Sequence, residues 1–375
     1  MKVLMIINSL EIGGAETSLE TLSISLKHKM QIEVISLAGS GYLANRLQSK
    51  GILVHQLDLR ANLFLFKECL KLFRLVRNIE PDLVHTWMYH SNLLGGIIAK
   101  LAGIKKIIWS VHAFNLESGM LKPSTRVLIK FSALFSYFIP NKIICCSQKS
   151  LEIHQKLLYQ KTKLAFIPNG VDPSIFSYSE LGRDNIRKEL NIDDHKILVG
   201  CIGRFDVQKN QLGFLKTITD IQSLGMEYHF VFVGRGNDNQ NQDMQEIINT
   251  SKIGKNITLL GERDDIANIL SALDIYAMPS KGEAFPVSLC EAMACEIPCI
   301  ATNVGDVQFI LGDIVQTVDI NKFETFSQAI TELGSMAPKL RKQLGKKLKN
   351  RVLDNFSIGI VAQLHLELYE AAQEY

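Results

Sequence analysis

The chain has 375 residues, more than one hydrophobic core ordinarily organises, so two domains are expected. Its 47% hydrophobic content and only nine prolines exclude a disordered chain and suit a packed α/β protein. The net charge of +3 hides an asymmetry: residues 1–172 carry 16 Lys and 5 Arg against 11 acidic residues, or +10, which leaves −7 for 173–375. A basic half beside an acidic half points to an anionic partner, either a membrane surface or an anionic acceptor, although a plain solvated surface explains part of it. No nucleic-acid-binding motif accompanies the charge, so nucleic acid is not expected as a partner. The seven cysteines form no CxxC pair and read as buried, reduced thiols of a cytosolic protein, with no metal site. The apolar run at the start is too short for a signal peptide, and no stretch approaches the ~20 apolar residues that span a bilayer. A cytoplasmic protein, soluble or at most attached to a surface, is expected.

Residues 2–7 read as a first strand, leading into a turn that holds Gly13 and Gly14, then a helix over about 15–29. Strand, glycine turn and helix begin a doubly wound sheet, whose ligands bind at this edge. The spacing is not G-x-G-x-x-G, which weakens a nicotinamide-dependent oxidoreductase. Strands at 32–37, 53–57, 82–86 and 106–111 alternate with helices near 67–78 and 91–102, the pattern of a parallel sheet covered on both faces. His85 and His112 fall at strand ends, where chemistry collects in such sheets but where a lone histidine is commonly structural. His85, Tyr89 and His90 are candidates for the border of an acceptor site. The run 122–142 sets Arg126, Lys130 and Lys142 among aliphatic and aromatic residues; a membrane-interface helix and a buried core helix fit it equally. Ile167, Pro168, Asn169, Gly170, Val171 and Asp172 form a turn cluster that closes the first half.

The second half restarts the pattern with a strand at 196–202, a loop carrying Arg204 and Lys209, and a helix over 211–223. A guanidinium fork and an ammonium five positions apart on a strand-to-helix loop can grip a diphosphate, although basic loop residues are commonly just solvated. Strands follow at 229–233, 257–260, 275–278 and 298–301. Ser280 to Ala294 reads as a loop turning into a helix, with Pro286 in its first turn and Leu289, Ala292 and Met293 on one core-facing stripe. Glu283 and Glu291 are left over. Composition alone leaves them as solvated glutamates or as contacts to a sugar and a ribose at an anion-favouring helix start. The tail from 322 reads as helices, and the charges of 339–351 as a solvated face.

Pro-Ser, Glu283, Phe285-Pro286 and Glu291-Ala-Met-Ala in this order resemble the signature of retaining glycosyltransferases of the GT-B fold, family 4. The turn at 167–172 resembles that family's inter-domain segment almost literally, and the Gly203-Arg204 and Lys209-Asn210 pairs resemble its donor loop. Gly234-Arg235-Gly236 stands where members often carry Gly-Asp-Gly. The resemblance implies two Rossmann-like domains facing a cleft: 1–172 on the acceptor side, 173–355 for the nucleotide sugar, and a helix over 356–375 packing back on the first. It implies transfer of a hexosyl group, without a cofactor or metal, from a nucleoside-diphosphate sugar, preferably a UDP-sugar. The acceptor would be a glycan or lipid-linked glycan of bacterial surface polysaccharide or lipopolysaccharide, at the inner face of an anionic membrane. Arg204 and Lys209 would stabilise the departing diphosphate, Glu283 and His112 would contact the sugar, and Glu291 would hold the ribose. Gly13, Gly14, Arg263, Phe285, Pro286 and Val287 would complete the donor site. Rival readings are a GT-B phosphorylase and a non-catalytic nucleotide-sugar-binding protein of the same fold.

Overall fold

The computed structural model describes residues 1–39, 41–59, 65–112, 123–221, 227–251 and 254–371. Lys122, residues 222–223 of the predicted helix and the last four residues of the tail lie outside the described residues. The chain forms two compact units, Met1–Gly170 with Ile358–Tyr375, and Val171–Ser357.

The first unit alternates strands and helices: β1 (Lys2–Ile7), α1 (Gly14–Leu26), β2 (Gln31–Ser36), α2 (Tyr42–Ser49), β3 (Leu53–Gln56), α3 (Leu65–Ile79) and β4 (Leu83–Trp87). It continues with α4 (Tyr89–Leu101), β5 (Ile107–Val111), α5 (Pro123–Phe135), β6 (Lys142–Cys145), α6 (Gln148–Lys156) and β7 (Leu164–Phe166). All seven strands are parallel, in the order β3-β2-β1-β4-β5-β6-β7. The period-2 geometry of a strand sends alternate side chains to opposite faces. Val3, Met5 and Ile7 join Leu19 and Leu22 of α1 in one core, while Leu4 and Ile6 join Leu72 and Val76 of α3 in the other. Burial on both faces explains why β1 is an unbroken apolar run. Strands β6 and β7, of four and three residues, were not expected.

The second unit contains α7 (Glu180–Glu189), β8 (Ile197–Ile202), α8 (Gln211–Ile221), β9 (Tyr228–Val233), α9 (Gln242–Thr250), β10 (Ile257–Gly261), α10 (Ile266–Ala272) and β11 (Ile275–Met278). After these come α11 (Val287–Ala294), β12 (Cys299–Ala301), α12 (Val307–Leu311), α13 (Thr325–Ser335) and α14 (Pro338–Asn355). Its strands are also parallel, ordered β10-β9-β8-β11-β12. The last helix, α15 (Ile358–Ala371), belongs to the first unit, where Val361, Leu366 and Tyr369 enter the core beside α1. In both sheets the strand order reverses beside the first strand, between β1 and β4 and between β8 and β11. A crevice opens at the carboxyl ends of strands at such a point.

Candidate active site

At the carboxyl edge of the five-stranded sheet, the loop after β8 is braced from several sides. Asn237 donates to the Gly203 carbonyl at 2.7 Å, and the Phe205 amide donates to the Arg235 carbonyl at 2.8 Å. Gly234, at φ +123°, approaches so closely that a Cβ would stand 2.5 Å from the Gly203 oxygen. The Asn210 side chain donates to the Pro279 carbonyl at 3.1 Å, tying this loop to the one after β11.

That tie brings Lys209 Nζ to 2.6 Å from Glu283 Oε1, which also accepts from Ser280 Oγ at 2.7 Å. Glu283 is buried. Two residues read from the sequence as separate diphosphate and sugar contacts are thus one ion pair, 74 positions apart in the chain. Arg204 remains exposed, its Nε and Nη2 each 3.2 Å from Asp206 Oδ2. A surface pair within one loop is worth little, so the fork is readily given up to a bidentate oxyanion. Glu291, in the second turn of α11, has no hydrogen-bond or ion-pair partner among the described residues. Desolvation by burial pushes its carboxyl up to about 7. A pair of neutral hydroxyl donors would satisfy such a group and favour its ionised form.

The edge of the seven-stranded sheet is different in kind. Gly13 caps α1 with no side-chain cap, and an added Cβ at Gly14 would meet nothing within 4 Å. Behind this loop Gly41 has no room for a Cβ, which would lie 2.2 Å from the Leu10 carbonyl carbon. His112 follows β5, its ring stacked on Trp87 at 4.9 Å and 17°. Burial pushes the His112 imidazole down to about 3, so the ring is neutral. His85 is fully buried, with Nδ1 2.7 Å from Tyr369 Oη and Nε2 2.7 Å from Ser110 Oγ. Tyr89 is buried too, its hydroxyl 2.7 Å from His154 Nε2. Of the three residues expected at an acceptor border, His90 alone is exposed; His85 and Tyr89 are internal hydrogen-bonders.

The family model for Glycosyl transferases group 1 matches residues 182–351, and that for Glycosyltransferase Family 4 matches 12–175. The chain is a glycosyltransferase of this family. It is 29% identical over 296 residues to an Escherichia coli UDP-Gal:alpha-D-GlcNAc-diphosphoundecaprenol alpha-1,3-galactosyltransferase, covering 78% of this chain and 76% of that one. It is 26% identical over 311 residues to a Campylobacter jejuni N,N'-diacetylbacillosaminyl-diphospho-undecaprenol alpha-1,3-N-acetylgalactosaminyltransferase, covering 80% and 79%. Anabaena HepE, solved with UDP and glucose, superposes with a TM-score of 0.86 at 18% identity, over 99% of this chain and 100% of that one. The fold is GT-B, with two Rossmann-like doubly wound domains, and several relatives are bacterial transferases named for undecaprenyl-diphosphate-linked acceptors or capsular polysaccharide biosynthesis.

Other residues expected at the glycosyltransferase's donor site have internal partners. Arg263 is clamped by Glu189 and Asp265 through four hydrogen bonds of 2.7–3.1 Å, leaving one of its five N–H donors. Phe285 is buried edge-on against Phe356 at 5.4 Å and anchors the loop from inside. Pro286 precedes the helix as its cap rather than standing in its first turn, and Val287 opens α11, whose first turn has no side-chain cap. Gly305 escaped the sequence reading: at φ +55°, its Cβ would fall 2.0 Å from the Glu283 carbonyl oxygen. Ser280 and Asn210, which hold the ion pair in place, stand inside the matched motifs but had been given no role of their own. Among the described residues no group of three His, Cys, Asp or Glu could hold a metal ion.

Proposed function

We propose that this glycosyltransferase works with retention, moving a hexosyl group from a UDP-sugar to a glycan or lipid-linked acceptor of bacterial surface polysaccharide. The observation that carries the reading is the Lys209–Glu283 ion pair on the same sheet edge as the unpartnered Glu291. Glu291 accepts hydrogen bonds from the ribose hydroxyl pair. The start of α11 offers free amides and a positive dipole end to the diphosphate, and Arg204 supplies its fork. As the bond between sugar and diphosphate breaks, negative charge grows on the leaving oxygen, and Lys209 stabilises it electrostatically. With Oε1 held by Lys209 and Ser280, Glu283 has Oε2 left to orient a sugar hydroxyl. Gly13 and Gly14 let the backbone of the first unit approach the donor, and neutral His112 hydrogen-bonds the transferred sugar. The basic residues take the part a divalent ion plays elsewhere, so turnover should survive EDTA. The direct test incubates the enzyme with UDP-glucose, UDP-galactose and their N-acetyl forms on a polyprenyl-diphosphate-linked acceptor. An α-linked product from one of them supports the reading; a β-linked product, or turnover only with another nucleotide, overturns it.

The acceptor side of the proposal rests on α5. Its Ile129 and Ala133 are buried, while Val127, Phe131 and Leu134, with Phe138 beyond the helix, are all more than half exposed, beside exposed Arg126 and Lys130. A basic, apolar, solvent-facing stripe suits the inner face of an anionic bilayer, where a lipid-linked acceptor resides. No described helix is long and apolar enough to cross a membrane. Anionic vesicles should co-sediment the protein at low salt, and Phe131→Glu with Phe138→Glu should abolish this; failure of the wild type to co-sediment would remove the membrane from the account.

A further inference from the structure

Among the described residues, two buried polar atoms at the carboxyl edge of the first sheet have no partner: Trp87 Nε1, a donor, and His112 Nε2. Their rings stack, and both residues line one small cavity together with Ser18, Ser110, Asn169 and His365. The cavity measures about 10 Å³, room for one oxygen atom and not for two. A buried N–H without an acceptor costs about 1–3 kcal/mol, and an oxygen seated here would relieve both atoms at once.

We propose that this cavity is a site for a single water molecule in the free protein, accepting from Trp87 Nε1 and donating to His112 Nε2. The consequence is chemical. A neutral imidazole that accepts at Nε2 carries its proton on Nδ1, so the proposed direction of this bond goes with the Nδ1-protonated tautomer of His112. The neutral state of the ring, held by its burial, permits this. Trp87 is in turn backed by His85, whose ring lies 4.9 Å away and is clamped by Tyr369 and Ser110. Trp87 is therefore a positioning residue for His112; its functional consequence rests on the sugar contact proposed above, but the water site does not.

The sequence contains only two tryptophans, which makes the test simple. Trp109 Nε1 is likewise buried and without a partner among the described residues but does not line the cavity, so it serves as an internal control. In a proton–nitrogen spectrum of the ¹⁵N-labelled free protein, the Trp87 indole proton should lie at a hydrogen-bonded, downfield position and that of Trp109 at an unbonded one. Either Trp87→Phe or Trp109→Phe assigns both signals. The His112 ring should show a protonated Nδ1, and Trp87→Phe should relax that preference and lower kcat/KM about fivefold, the weight of one neutral hydrogen bond. An upfield Trp87 signal matching Trp109, or a protonated His112 Nε2 in the wild type, would overturn the proposal. Adding UDP-glucose then separates two cases: an unchanged Trp87 signal means a resident water, and a changed one means replacement by a sugar hydroxyl. If no nucleotide sugar binds, the donor assignment fails while the indole result stands by itself.

Discussion

The two sheet edges share one topology and opposite chemistry. On the second unit the edge carries charge: an exposed guanidinium, a largely buried ammonium paired with a buried carboxylate, and a desolvated acid without a partner among the described residues. On the first unit the edge is neutral, made of imidazole, indole and hydroxyl groups buried against one another. A diphosphate needs the former and sugar hydroxyls the latter. Under the function proposed above, one doubly wound fold would serve two halves of a reaction by changing the loops at its strand ends.

Removing the charge should have the largest effect. Lys209→Ala is expected to lower kcat about 10³-fold by removing the group proposed to meet the leaving diphosphate. It also strands buried Glu283, at about 2–3 kcal/mol of stability. Adding Glu283→Gln should restore the melting temperature but not the rate; recovery of both would mean that the pair is structural.

Glu291 gives a sharper and smaller test. Its folded pKa of about 7 lies above the ordinary carboxylate value, so between those values the free protein holds a proton that the unfolded chain has lost. This favours folding at low pH and is lost as pH rises through 7. Hydroxyl donors favour the ionised form, so nucleotide affinity should strengthen about tenfold from pH 6 to 8, beyond what the nucleotide's own phosphate titration contributes. Glu291→Gln should bind more weakly and lose that extra slope, which titration calorimetry at three pH values would reveal.

The neutral edge predicts an opposite pH response. Burial lowers the pKa of His85, His112 and His365, the last two to about 3 and about 4. Below about pH 6.5 the unfolded chain takes up protons that the folded one refuses, so their stabilisation is full above that value and falls away toward pH 4. Each contributes up to about 1.4 kcal/mol per pH unit in that window. Urea unfolding at pH 6.5 and 5.0 should show the loss, reduced by roughly one histidine's share in His365→Gln. An unchanged difference in that variant would mean that the imidazole is not held neutral.

Much of this architecture is legible along the chain. The alternation of apolar runs gave the parallel sheets, and Leu289, Ala292 and Met293 are all buried, as their spacing predicts. Pairings across the sequence were not legible. Lys209 and Glu283 each match a local motif, but their contact depends on Asn210 reaching Pro279. His85, expected at a strand end, lies in the middle of β4, where Tyr369, 284 positions away, closes over it. Phe285 sits among motif residues yet faces the core, because Phe356 is there to receive it. Local pattern reports which faces are apolar; it does not report which polar groups satisfy one another.

The central claim is that the charged edge holds a nucleoside diphosphate through Glu291. Thermal unfolding of wild type and Glu291→Ala with saturating UDP, GDP, ADP and CMP tests it most directly. A ligand at ~100 times its dissociation constant adds about 2.7 kcal/mol. UDP should raise the melting temperature of the wild type, and that rise should largely vanish in Glu291→Ala. Equal stabilisation of both proteins, or of neither, would contradict the account.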